Sequence, residues 1–150
     1  MNNKIIIAID AMGGENAPAK NIEGVSIFLK KNKKKKDFFF NIYGDRDLII
    51  RELDKHKVSS NSYEIFNSST VVSDEETPLA AIKNSKDSSM WNAINSQTVS
   101  NSNITLSAGN TGVLFVVSRM LLKTIDSVSK PALAGLWPNK KNMNVVLDLG

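Results

Sequence analysis

The sequence predicts an α/β protein with a mostly parallel sheet. Three observations carry that expectation: a continuous β-branched strand opens the chain, strand-like and amphipathic segments alternate after it, and glycine-bearing turns follow the strands. With 150 residues and 41% hydrophobic content, the chain is long enough to bury one core.

"KIIIAID" (Lys4–Asp10) reads as a strand buried on both faces, because its β-branched run has no polar alternation. "AMGGENAP" follows as a turn punctuated by Gly13, Gly14 and Pro18. Ile22, Val25, Phe28 and Leu29 then mark one face of a helix that runs into a lysine tract. "FFFNIYG" (Phe38–Gly44) is a second strand, and Asp45 caps an amphipathic helix extending to Lys57. "YEIFNS" gives a third strand. Helical patterns run from Leu79 to about Ser85 and from Ser88 to about Thr98. "ITLSAG" is a strand, Asn110 to Ile125 a helix, and "PALAGLWP" and "NVVLDLG" are the last two strands. A parallel sheet needs both faces covered, and no helix follows "LDLG". Residues 1–150 are therefore expected to be a single α/β domain forming the N-terminal part of a longer fold.

Composition excludes several functions. Cysteine is absent, which removes disulfides, thiolate metal sites and a cysteine nucleophile, and suits a reducing cytoplasm. The apolar start is stopped by Asp10, too early for a secretory signal, and no later apolar run is long enough to span a bilayer. Six of the 19 Lys and Arg residues lie in "KKNKKKK" (Lys30–Lys36), and without them the formal charge of +4 becomes −2. The basicity is thus one patch at a helix end, where a lysine run is favoured by the helix dipole. No aromatics are interleaved with it to stack bases, so nucleic acid ranks last among the partners. His56, the one histidine, sits in "DKHK" on a polar face, which argues against a histidine triad. "SDEET" lacks the spacing of a calcium loop and reads as a loop before Pro78. Neither a metal nor a cofactor is expected. Trp91 and Trp137 are assigned to core or interface packing.

Three turns fall at the carboxyl ends of strands, where ligands collect in parallel sheets: "DAMGGENAP", "SAGNTG" and "LDLG". Glycines there let backbone approach a ligand, and the helix starting after Asn110 presents unpaired N–H groups and a positive dipole end. Ser107, Asn110 and Thr111 add side-chain donors beside Gly109 and Gly112, which suits phosphate or another oxyanion. Asn110 is equally an ordinary helix cap, and both readings stand on spacing alone. The glycines match neither the Walker nor the dinucleotide pattern. Lys83 and Lys86, three apart on a helical turn, either supply compensating charge or belong to a surface helix, and Ser88–Ser89 is a natural cap for the next helix.

"IAIDAMGGENAP", "SDEETPLAAIKNSKDSSM", "SAGNTG", "KPALAGLWP" and "VVLDLG" occur here in the order seen in the bacterial phosphate acyltransferase family of phospholipid synthesis, commonly called PlsX, and the chain resembles that family over nearly its whole length. The resemblance implies a three-layer α/β/α fold similar to isocitrate/isopropylmalate dehydrogenases and phosphotransacetylases, in a cytoplasmic homodimer that associates peripherally with the membrane. It implies transfer of a fatty acyl group from acyl carrier protein to inorganic phosphate, giving acyl phosphate for a membrane glycerol-3-phosphate acyltransferase (PlsY). Glu15 and Ala17 stand where the family more often has Asp and Gly. Lys83 and Lys86 stand where Arg is frequent, which keeps charge but loses bidentate recognition.

Phosphate is already an anionic nucleophile, so this transfer needs position, charge compensation and oxyanion donors more than a strong base. Under that reading Ser107, Asn110, Lys83 and Lys86 are the catalytic candidates. Gly13, Gly14, Ser88, Ser89, Gly109, Thr111 and Gly112 are the candidates for binding phosphate and the thioester arm. The alternatives are a phosphotransacetylase-like enzyme acting on acyl-coenzyme A and a non-catalytic phosphate-binding module.

Overall fold

The structure, a computed structural model, describes residues 4–32, 37–73, 77, 80 and 83–147. The first half is a β-α-β-α-β unit. It comprises β1 (Ile5–Asp10), α1 (Ala19–Lys31), β2 (Phe38–Gly44), α2 (Arg46–Lys55) and β3 (Tyr63–Asn67), with a short 3₁₀ turn at Ser60–Ser62. β1 pairs with β2 in parallel from Ile5 opposite Phe38 to Asp10 opposite Tyr43, and β2 pairs with β3 in the same sense. Alternation along each strand then divides the side chains between two faces. Ile7, Ile9, Phe40 and Ile42 pack on Ile22 and Val25 of α1 and on Ile49 and Leu53 of α2. Phe28 closes this layer edge-on to Phe38 and Phe40, with ring centroids 4.9 and 5.8 Å apart. The Asp45 cap forms as expected, its Oδ1 accepting from the Leu48 N–H at 3.0 Å, and Lys30 and Lys31 occupy the last turn of α1.

The second half crosses to the other side of β1. It comprises α3 (Ser89–Thr98), β4 (Ile104–Ser107) and α4 (Thr111–Leu121), and β4 lies against β1 in parallel, so the strand order is β3-β2-β1-β4. Asn103 sets this register: its N–H donates to the Ile6 carbonyl at 2.8 Å and its Oδ1 accepts from the Ile6 N–H at 2.7 Å. Helix α3 covers the second face, with Ala93 against Ala8 and Tyr43. Thr105 Oγ1 donates to the Ala93 carbonyl at 3.0 Å. Outside α3, Val113 and Val117 of α4 join Met90, Ile94 and Val72 in a further apolar cluster. Helices therefore flank a parallel four-stranded sheet on both faces, the expected three-layer arrangement.

Two expectations need correction. Helix α4 stops at Leu121, not Ile125, because Leu122 turns to an extended backbone conformation. "PALAGLWP" and "NVVLDLG" do form strands, β5 (Ala134–Pro138) and β6 (Met143–Leu147), but these pair antiparallel in a separate two-stranded sheet. Asn139 makes that hairpin: its side-chain oxygen accepts from the N–H groups of Lys141 and Asn142 at 2.8 and 2.7 Å. Trp91 packs beside the α3–α4 cluster, and Trp137 is 61% exposed on the hairpin, which leaves only the interface alternative for it. The expected helix at Leu79–Ser85 is seen only in part, at Ala80, Lys83 and Asn84. Residues 79, 81 and 82, the acids of "SDEET", Lys33–Lys36 and the last three residues of "LDLG" lie outside the described residues.

Tyr43 sits buried on the α3 face, its ring stacked on Phe66 at 4.8 Å, and burial pushes its phenol above the ordinary tyrosine pKa. A raised acid pKa means the unfolded chain loses this proton first. The contribution is fully present below about pH 10 and is lost as pH rises through the folded value. Denaturant melts between pH 8 and 11 should therefore show stability falling less steeply at the alkaline end in Tyr43→Phe than in the parent chain.

Candidate functional site

Asp10 and Ser107 end their strands side by side. They stand where the winding reverses, because the chain leaves β1 toward β2 on one side and β4 returns on the other. In open parallel sheets such a reversal splays the following loops and leaves a crevice. Here the crevice is laced by hydrogen bonds. Ser107 Oγ donates to Asp10 Oδ2 at 2.7 Å and accepts from the Gly109 N–H at 3.1 Å. Asp10 is 1% exposed, and its Oδ1 also accepts from the Met12 N–H at 3.3 Å. From α1, the Asn21 amide donates to the carbonyls of Ala11 and Gly13, each at 2.9 Å, and holds the first turn from outside.

The two glycine turns touch. A Cβ on Gly13 would stand 2.5 Å from Asp10 Oδ2, 2.8 Å from the Gly109 nitrogen and 3.0 Å from Ser107 Oγ. Gly14 has a φ of +89°, and a Cβ there would lie 2.6 Å from the Ala108 carbonyl oxygen. Only hydrogen fits at either position. The N-terminal turn of α3 closes the third side, since a Cβ on Gly109 would come 3.0 Å from the Met90 methyl carbon.

Two helix N-termini begin beside this seam. Ser88 caps α3, its Oγ accepting from the Trp91 N–H at 3.2 Å, and Asn110 caps α4, its Oδ1 accepting from the Val113 N–H at 3.1 Å. Asn110 therefore does act as a helix cap. The cap leaves the Thr111 and Gly112 N–H groups, which have no intrahelical acceptor, at the positive end of the α4 dipole.

Of the residues singled out from sequence, Gly13, Gly14, Ser107 and Gly109 meet directly, and Asn110, Thr111 and Gly112 follow at the head of α4. Ser88 and Ser89 are buried: Ser88 serves as the α3 cap, and the Ser89 N–H donates to the Thr70 carbonyl at 3.1 Å. Lys83 and Lys86 are exposed on the segment leading into Ser88. Among the described residues, neither lysine forms a hydrogen bond or ion pair with the glycine turns. Of the third turn expected at the crevice, "LDLG", only Leu147, the last residue of β6, is among the described residues, and the rest of that turn lies outside them. His56 caps the C-terminal end of α2, which lies toward the opposite ends of the strands, 3.8 Å from Glu52.

Sequence reasoning passed over Asp10 and Asn21. A carboxylate directly ending an apolar strand is a signal for the first, because a buried charge requires partners. The second left no comparable mark.

Fold and crevice define a class: an open parallel α/β protein whose glycine turns and a helix N-terminus meet at the switch point of the sheet. The family described as "Fatty acid synthesis protein" matches residues 5–150. A phosphate acyltransferase of Pelagibacter ubique is 45% identical over 150 residues, covering all of this chain and 44% of that protein. Phosphate acyltransferases of Bradyrhizobium diazoefficiens and Wolbachia pipientis are 38% and 39% identical over 151 residues, covering all of this chain and 42% and 44% of their own lengths. The chain belongs to the fatty acid synthesis protein family, as its motifs indicated, and it spans less than half the length of these relatives. Among the described residues, no helix is long and apolar enough to cross a membrane.

The seam sets a stability test. Gly13→Ala forces a methyl against backbone and a buried carboxylate, and should cost about 1–3 kcal/mol in urea melts. Gly109→Ala meets the flexible end of Met90 first and should cost clearly less. Equal losses for the two variants would mean that the turns do not touch as described.

Proposed function

We propose that this chain carries the phosphate-binding part of an acyltransferase that moves a fatty acyl group from acyl carrier protein to inorganic phosphate. The observation that supports this most is the meeting of two glycine turns beside the N-terminal turn of α4. The names of the relatives point the same way.

In this reading the Thr111 and Gly112 N–H groups, with the Thr111 hydroxyl and the Asn110 amide, hold phosphate at the positive end of α4. Lys83 and Lys86 approach from the α3 side to offset charge. Ser88 and Ser89 shape the α3 end of the same pocket. A phosphate oxygen attacks the thioester carbonyl, a C–O bond forms, and main-chain donors stabilise the resulting oxyanion. The C–S bond then breaks, and the thiolate leaves to take a proton as the free carrier thiol. Gly13 and Gly14 leave room for the thioester arm. Asp10, with its charge turned to Ser107 and the Met12 N–H, acts as a positioning group. It locks both turns and keeps the Ser107 proton away from solvent. The working protein is a homodimer in the cytoplasm, and its acyl phosphate product supplies a membrane-bound acyltransferase.

Asn110→Asp separates phosphate binding from helix capping. Asp caps as well as Asn, so the fold and melting temperature should hold. A second negative charge at the head of α4 should nevertheless weaken phosphate binding, measured calorimetrically, by about tenfold or more. Unchanged phosphate affinity would leave Asn110 a cap and nothing more. Hydroxylamine trapping of acyl phosphate, with long-chain acyl carrier protein and acetyl-coenzyme A compared as donors, tests the substrate class.

A further inference from the structure

A pocket of about 190 Å³ lies beside the start of β3, lined by the C-terminal ends of α1 and α2, and so at the opposite edge of the sheet from the crevice. Ser26 and Lys30 come from α1, His56 and Lys57 follow α2, and Ser59 and Ser62 bracket the 3₁₀ turn. Among the described residues, no carboxylate lines it. Its polar wall consists of hydroxyl, ammonium and imidazole groups.

Ser26 is 2% exposed, and its hydroxyl has no hydrogen-bond partner. A serine inside a helix commonly bonds back to the carbonyl one turn earlier, and a buried hydroxyl left bare is destabilising. A bare polar group of this kind calls for a specific explanation. The cations beside it are not needed to cap the helices. After α2, the Val58 N–H donates to the Leu53 carbonyl and the Lys57 N–H to the Asp54 carbonyl, each at 3.0 Å. After α1, Asn32 donates to the Phe28 carbonyl from its main chain at 3.0 Å and from its amide at 2.9 Å. Among the described residues, neither Lys30 nor Lys57 forms an ion pair. Glu52, 3.8 Å from His56, is already paired with Lys55 at 2.9 Å.

We propose that this pocket binds a phosphate group. The Ser26 hydroxyl donates to it from the floor, Lys30 and Lys57 balance its charge, and His56, Ser59 and Ser62 add donors around it. The volume is below that of drug-sized sites and suits one tetrahedral anion with a few attached atoms. A phosphate also offers more acceptor oxygens than a carboxylate, which matches a wall made only of donors. The site is separate from the crevice and stands independently of the acyl-transfer reading.

The test exchanges chloride for inorganic phosphate at constant pH and ionic strength and follows the imidazole signals by NMR. His56 is the one histidine of the chain, so this readout belongs to the pocket. Its signals should move saturably with phosphate. Ser26→Ala should weaken that response at least about tenfold, while its melting temperature holds or rises because the bare hydroxyl is gone. Lys57→Asn, which tolerates the left-handed backbone at that position (φ 53°), should weaken it as well. Asn110→Asp alters the crevice and should leave the His56 response unchanged, so failure of this site and failure of the crevice are told apart. Sedimentation with vesicles of phosphatidic acid in phosphatidylcholine identifies the source. Retention that depends on Ser26 makes the ligand a lipid headgroup, and any other result leaves the site to soluble phosphate. A His56 response that never saturates, or one that Ser26→Ala leaves intact, overturns the proposal.

Discussion

The hydrogen bond from Ser107 to Asp10 is the constraint on which the crevice depends. It joins the last residues of two neighbouring strands, and the Gly109 and Met12 amides complete the lacing. A buried carboxylate is tolerated only where such donors surround it. Both loops thereby leave their strands at fixed angles. Glycines 13 and 14 are then required, since any side chain would drive the loops apart.

Much of this fold was legible because its signals are local. The unbroken Ile5–Ile9 run, the Asp45 cap and the Ile22/Val25 stripe each specify one element without help from the rest. The pairing of β5 with β6 was harder to read, because it turns on the side chain of Asn139 closing a four-residue loop onto itself. The end of α4 was misread for a related reason: Leu122 continues the apolar pattern while its backbone has already left the helix.

For the crevice, sequence exposed the parts and concealed their joints. Gly13, Gly109 and Asn110 stand out because glycine and helix-cap residues are rare, positional signals. Ser107 stands out within "SAGNTG", but its partner Asp10 lies 97 residues away, and only the strand order β3-β2-β1-β4 sets the two opposite each other. Asn21 holds the first turn from a helix whose periodicity speaks only of its apolar face. The lysines show the reverse case: Lys83 and Lys86 are conspicuous in sequence, yet both stand exposed.

The crossing from β3 to β4 also has a kinetic consequence. Strands β1 to β3 assemble through near-neighbour crossovers, whereas β4 must close a long loop before it gains any pairing. The seam between the glycine turns is thus a late event of folding, and a chain caught before it would already own most of its first core while possessing no crevice at all.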